Sequence, residues 1–121
     1  MLLDFNTMEE KELEHFKGGE KSFHAKMFTD DSNKIMRGRL EPGASIGLHT
    51  HEGNSEIVFI LEGTGKMLCD GVYEELSAGK CTYCPEGHSH SLINDSNGDL
   101  VFYAVVPDTT ITETEYRRKL Q

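Results

Sequence analysis

Gly43-Ala-Ser-Ile-Gly-Leu-His49-Thr-His51-Glu-Gly-Asn-Ser-Glu56-Ile-Val-Phe-Ile-Leu-Glu-Gly63 carries more chemistry than any other part of the 121-residue chain. Side chains alternate along an extended strand, so His49 and His51, two apart, project to the same face and can grip one metal ion together. Glu56 follows five residues later, an odd offset that would send it to the opposite face of a straight strand. The intervening Glu52-Gly53-Asn54-Ser55 is turn chemistry, so the chain reverses and Glu56 can return on the next strand as a third ligand. Two imidazoles and a carboxylate leave room for a fourth protein donor, a mixed set that divalent first-row metals accept.

Outward from this stretch, short apolar runs alternate with turns. Ser22 to Phe28 and Ile35 to Glu41 read as strands around the polar turn Thr29 to Asn33, and Pro42-Gly43 ends the second. Ile57 to Leu61 and Leu100 to Val106 are apolar on both faces, which asks for a core on one side and further cover, such as a second subunit, on the other. Turn signals recur at Glu62 to Gly65, Asp70-Gly71, Ser77 to Gly79, Pro85 to Gly87 and Asn94 to Gly98, and Asp70-Gly71 is the best hairpin signal. Many short strands at such spacing predict an all-β sandwich or barrel. Thr7 and Glu10 have capping-box spacing, which predicts a short N-terminal helix over Met8 to Lys17, stopped by Gly18-Gly19. Residues 112–121 are polar and read as a last short helix or a mobile tail.

Composition narrows the function classes. The chain has room for one domain that buries roughly 65% of its unfolded surface. A net charge of −9 is the wrong sign for nucleic acid. No apolar run reaches membrane-span length, and the acidic start with Asp4, Glu9 and Glu10 lacks signal-peptide character, so a cytoplasmic protein is expected. Cys69, Cys81 and Cys84 are odd in number, which argues against a disulfide framework. Cys81 and Cys84 fall on opposite strand faces, so small buried hydrophobes are a better reading of them than a redox or zinc pair.

Downstream, Gly79, Pro85, Gly87, His90 and Asn94 complete a second pattern. Together the two stretches resemble the cupin family. G-x5-H-x-H-x4-E-x6-G is met at Gly43, His49, His51, Glu56 and Gly63, and G-x5-P-x-G-x2-H-x3-N at Gly79, Pro85, Gly87, His90 and Asn94. The 15 residues between the motifs match the short spacing of microbial members, and the two-motif core covers residues 43–94 of a single domain over 1–121. The resemblance implies a double-stranded β-helix, or jelly-roll barrel, with His49, His51, Glu56 and His90 holding one divalent transition metal: manganese, iron, nickel, cobalt or zinc.

A divalent ion with three neutral imidazoles and one carboxylate keeps one net positive charge, which suits a small anion that chelates through two oxygens. A metal-dependent enzyme acting on a small carboxylate-type metabolite is the leading expectation. The fold hosts oxygenases, isomerases, lyases and decarboxylases alike. Oxalate decarboxylase-like cupins carry arginine three residues before the first ligand histidine, and Ile46 stands there, which weakens decarboxylation and leaves oxalate binding open. Tyr83 and His88 are the acid-base candidates, against the plainer readings of a carbonyl-bound tyrosine and a surface histidine. Arg37 and Arg39 share a strand face and could hold a carboxylate, although paired arginines there are more often solvated. The alternative is a non-catalytic module that anchors a metabolite on its metal. The two-sided strands point to a homodimer.

Overall fold

Apolar residues at every second position are what turn this chain into strands. Along Asn33–Leu40, Met36, Gly38 and Leu40 face inward and are buried, while Ile35, Arg37 and Arg39 face out. The computed structural model describes residues 1–110, so the expectation for 112–121 lies outside the described residues. The strands are β1 (Lys11–Glu14), β2 (Ser22–Thr29), β3 (Asn33–Leu40), β4 (His49–Thr50), β5 (Glu56–Glu62), β6 (Thr64–Cys69), β7 (Val72–Ser77), β8 (Cys81–Cys84), β9 (Ser89–Ile93) and β10 (Leu100–Pro107). One sheet runs β1-β2-β3-β10-β5-β8 and the other β4-β9-β6-β7, with antiparallel pairing throughout.

The core joins the inner faces of both sheets. Phe23, Leu40, Val58 and Phe102 from the larger sheet pack in one cluster with Met67, Leu76 and Leu92 from the smaller, and Phe23 stacks on Phe102 at 5.8 Å. The all-β architecture expected from the turn spacing is present. Asp70-Gly71 closes the β6–β7 hairpin with Cys69 opposite Val72, and φ of 47° and 83° at these two residues suits the turn whose twist matches the strands.

The expected N-terminal helix is not formed. Lys11–Glu14 is instead an edge strand with Leu13 opposite Phe23, and only a single 3-10 turn follows at Phe16–Gly18. A helix of ten residues is marginal in water on its own. Pairing with β2 satisfies the same backbone groups and sets Leu13 against the core. The Thr7 amide and hydroxyl both donate to the Asp4 carbonyl, at 3.2 and 3.1 Å, so Thr7 closes a turn and caps no helix.

That 3-10 turn seats on the approach to the first histidine. The Gly47 amide donates to the Phe16 carbonyl at 3.0 Å. A Cβ at position 47 would stand 2.0 Å from the Lys17 carbonyl oxygen, an overlap that only a backbone shift relieves. Gly47→Ala is therefore expected to cost about 1–3 kcal/mol, the usual range for overpacking. A denaturant midpoint equal to that of the unaltered protein would show that this contact is not needed.

The outward row of the larger sheet departs from its neighbours in polarity. On β5, Val58 and Ile60 are buried while Phe59 is 45% exposed, and Tyr103 and Tyr83 on the flanking strands are 37% and 56% exposed. Cys81 sits opposite Phe59 in this row and is exposed, so only Cys84 of the pair is the buried small residue the sequence suggests. Burial pushes the Cys84 thiol up to about 12.

Candidate metal centre

Four donors converge where the two sheets meet. His49 lies on β4 and His90 opposite it on β9, both in the smaller sheet, while Glu56 begins β5 in the larger. His51 lies on the connection between them, and its backbone is clamped from both sides. Its amide donates to the His88 carbonyl at 3.0 Å, and its carbonyl accepts from the Gly87 amide at 2.7 Å. The Pro85–Gly87 turn of the second motif thus positions a histidine of the first.

The ligand atoms all fall within 4.8 Å of one another. His51 Nε2 is 2.9 Å from His90 Nε2 and 3.0 Å from Glu56 Oε1. His90 Nε2 is 3.1 Å from His49 Nε2 and 2.8 Å from Glu56 Oε1. His49 Nε2 lies 3.9 Å from the same carboxylate oxygen. Two donors each about 2.1 Å from one ion and at right angles to each other stand roughly 3.0 Å apart, so the spacings of 2.8–3.1 Å suit neighbouring positions around a common centre, with the His49–Glu56 pair set wider.

Proton placement favours the same outcome. His49 Nδ1 is 2.7 Å from the Gly47 carbonyl, and His51 Nδ1 meets Asn54 Oδ1. Both partners only accept, so each ring's proton belongs on Nδ1 and its Nε2 lone pair faces the cluster. Lone pairs and a carboxylate aimed at one point suit a cation between them. Without an ion, burial alone would push the Glu56 carboxyl up, but protons on the His49, His51 and His90 rings, filling the place a cation would take, outweigh it and hold it well below the usual carboxylate range. The Glu56 contact raises His51, against the opposing effect of burial.

A cavity of about 200 Å³ opens beside the cluster. Three of the four donors, His49, His51 and Glu56, line it together with the apolar Phe16, Phe23, Met27, Met36, Ile46 and Val106 and the charged Lys17, Lys34 and Glu52.

Tyr83, His88, Arg37 and Arg39 do not line this cavity. Tyr83 lies on the outward row of β8 and is 56% exposed. His88 is half exposed and pairs through Nδ1 with Asp70, whose second oxygen takes the Ser89 amide. Arg39 binds Glu10 at 2.8 Å and approaches Asp99 at 3.5 Å, which ties the N-terminal segment to the outer face. Arg37 shares that face. Conversely, the sequence reading missed Lys17 and Lys34. For Lys34 the signal was present, because it has the parity of Met36 and Leu40 and so faces inward, whereas Arg37 and Arg39 have the opposite parity.

Asn94, the last position of the second motif, is fully buried. Its Nδ2 donates to the Leu40 and Gly98 carbonyls, both at 2.8 Å, and its Oδ1 accepts from the Ser96 amide and hydroxyl.

Comparison with known proteins agrees with this geometry. Residues 36–106 match the Cupin domain family. Over 72 residues the chain is 44% identical to the oxalate-binding protein of Thermotoga maritima, a match that spans 60% of this chain and 60% of that protein. The crystal structure of a predicted oxalate decarboxylase from Thermotoga maritima superposes with a TM-score of 0.85 and 30% identity, covering 89% of this chain and 99% of that one. A Cupin 2 conserved barrel domain protein from Salinispora arenicola, at 21% identity, shares the fold with a TM-score of 0.70 over 98% of this chain and 95% of that one.

Proposed function

The chain belongs to the cupin family, and from that premise we propose that His49, His51, Glu56 and His90 hold one divalent transition metal that anchors a small carboxylate-type anion. The observation that carries this is the convergence of imidazole Nε2 atoms and one carboxylate on a common point. Such an ion supplies a Lewis acid that polarises a carboxylate or carbonyl oxygen. The chain's own residues fix its donors. Gly47 and Asn54 hold two imidazoles in the metal-binding tautomer, and the apolar wall keeps water from the bound anion's flank. A relative named for oxalate binding supports a small dicarboxylate as the type of ligand.

Turnover of that anion, by oxygenase, isomerase, lyase or decarboxylase chemistry, is the first form of this reading. A binding module without turnover is the second. It is favoured by one observation: apart from the candidate ligands, the ionisable groups lining the cavity among the described residues are Lys17, Lys34 and Glu52, and Tyr83 and His88 lie elsewhere. Elemental analysis of protein purified without added metal should find about one first-row transition metal per chain. Titration calorimetry should then show oxalate binding that disappears after chelation. Protein that purifies without metal and takes up none would sink both forms. Oxygen uptake or carbon dioxide release from a bound carboxylate would decide for the enzyme.

We further propose a homodimer built on the outward row of the larger sheet, where Ile57, Phe59, Tyr83, Tyr103 and Val105 are neighbours across three strands. Contiguous exposed apolar surface of this kind marks an interaction site, and a second copy presents the same flat face. Light scattering should report twice the chain mass and revert to a monomer in Phe59→Glu. A monomeric native protein would remove the proposal. Its three free cysteines accord with a reducing compartment such as the cytoplasm.

A further inference from the structure

The cavity beside the candidate ligands is larger and differently charged than oxalate requires. At the share of liquid volume that one water occupies, about 200 Å³ corresponds to roughly six or seven waters. That is room for a metal-bound carboxylate and several further carbons. Its middle is apolar, with Phe23, Met27, Met36 and Val106 in the wall. Two lysines, Lys17 and Lys34, also line it.

Lys34 lies on the inward row of β3, two residues from the buried Met36, in a row otherwise given to core residues. Its neighbour across the sheet is Val106 on β10, and β5 with Glu56 lies beyond β10. The Lys34 and Glu56 backbones therefore stand about two strand spacings, roughly 10 Å, apart. Lys17 lies on the 3-10 turn that Gly47 receives, its backbone held in the left-handed region at φ 57°, and its Nζ is 5.5 Å from the Phe16 ring centroid. Among the described residues neither lysine is within ion-pair distance of a carboxylate. In a chain of net charge −9, two unpaired cations on one cavity are set against the overall balance, and Glu52 is the one acidic side chain beyond the ligand Glu56 that shares the lining.

We infer that this site takes a dianion with a short apolar spacer, one carboxylate on the metal and a second acidic group between Lys17 and Lys34. The inference rests on the metal-anchored reading above and extends it from oxalate-sized ligands to a four- to six-carbon diacid. Oxalate would occupy only the metal end and leave both lysines unused. A monoacid of the same length would fill the apolar middle and forgo the charge-assisted contacts.

The test is calorimetric titration of the metal-loaded full chain with oxalate, 2-oxopentanoate and the matching dianion 2-oxopentanedioate, with metal content assayed in parallel. The dianion should bind at least about tenfold tighter than the monoacid, the worth of one charge-assisted contact. In Lys34→Met that preference should fall severalfold, and in Lys17→Met/Lys34→Met it should vanish, with metal content unchanged and oxalate still bound. Lys34→Met is the safeguard variant, since it leaves the left-handed turn at position 17 intact. Equal affinity for monoacid and dianion in the native protein, or a preference that survives in the double variant, overturns the inference while oxalate binding still upholds the metal-anchored reading. Absence of bound metal overturns that reading and the inference with it.

Discussion

Glu56→Gln is expected to empty the candidate metal centre: metal content per chain should fall below about one tenth of the native value, and His90→Ala should do the same. The amide keeps the shape of the carboxyl but removes the only anionic donor among four, and with it the charge that draws a divalent ion among three neutral rings. The native protein stripped by a chelator should melt at lower temperature than the loaded form. With free metal at about 100 to 1,000 times its dissociation constant, binding adds roughly 3–4 kcal/mol. For a domain of this size that corresponds to a melting shift on the order of 10 °C. Acid should release the metal too, because imidazole and carboxylate bind it only when deprotonated. Elemental analysis and calorimetry of native and Glu56→Gln protein check both statements. Unchanged metal content in Glu56→Gln, or a melting temperature insensitive to chelation, would remove the site assignment.

Asn94→Ala should be the most damaging single change away from the metal, lowering stability by about 2–4 kcal/mol in denaturant unfolding. The side chain is fully buried with both donors and its acceptor engaged. Truncation leaves the Leu40 carbonyl without that partner at the end of β3 and frees the Asn94–Gly98 turn that leads into β10. Leu100, Phe102 and Ala104 of β10 face the buried Leu40, Gly38 and Met36 of β3, and Phe102 and Ala104 also face the buried Ile60 and Val58 of β5, so a loosened entry is transmitted to the centre of the larger sheet. Asn94→Asp, which keeps the acceptor but sets a buried carboxylate oxygen against the Leu40 and Gly98 carbonyls, should cost at least as much as alanine. A loss below about 1 kcal/mol for the alanine variant would mean that the turn holds without this side chain.

Three members of the candidate metal site were legible in the sequence because their logic is local, while His90 came from the resemblance to the cupin motifs. His49 and His51 share a strand parity, the Glu52–Ser55 turn returns Glu56, and the second motif adds His90 at a matched position. The N-terminal segment was not legible for the converse reason. Nothing within Met8 to Lys17 announces that Leu13 will pair with Phe23, since the partner strand lies beyond the Gly18-Gly19 turn and the gain comes from tertiary packing. Arg37 and Arg39 illustrate a third case. Their charge drew attention to them, but alternation with the buried Met36 and Leu40 already assigned them to the outer face, and the same alternation pointed to Lys34. Residues such as Lys17 enter the cavity wall only through a turn whose docking depends on the absence of a side chain at Gly47.

The candidate ligands come from both sheets: His49 and His90 from the smaller, Glu56 from the larger, with His51 on the crossing between. An ion held by all four would act as a rivet through the open end of the sandwich. Breathing of that end, the local opening through which amides exchange with solvent, would then require at least one coordination bond to break. Metal exchange and separation of the sheets would become one kinetic event, so that the residence time of the ion sets how often the interior opens.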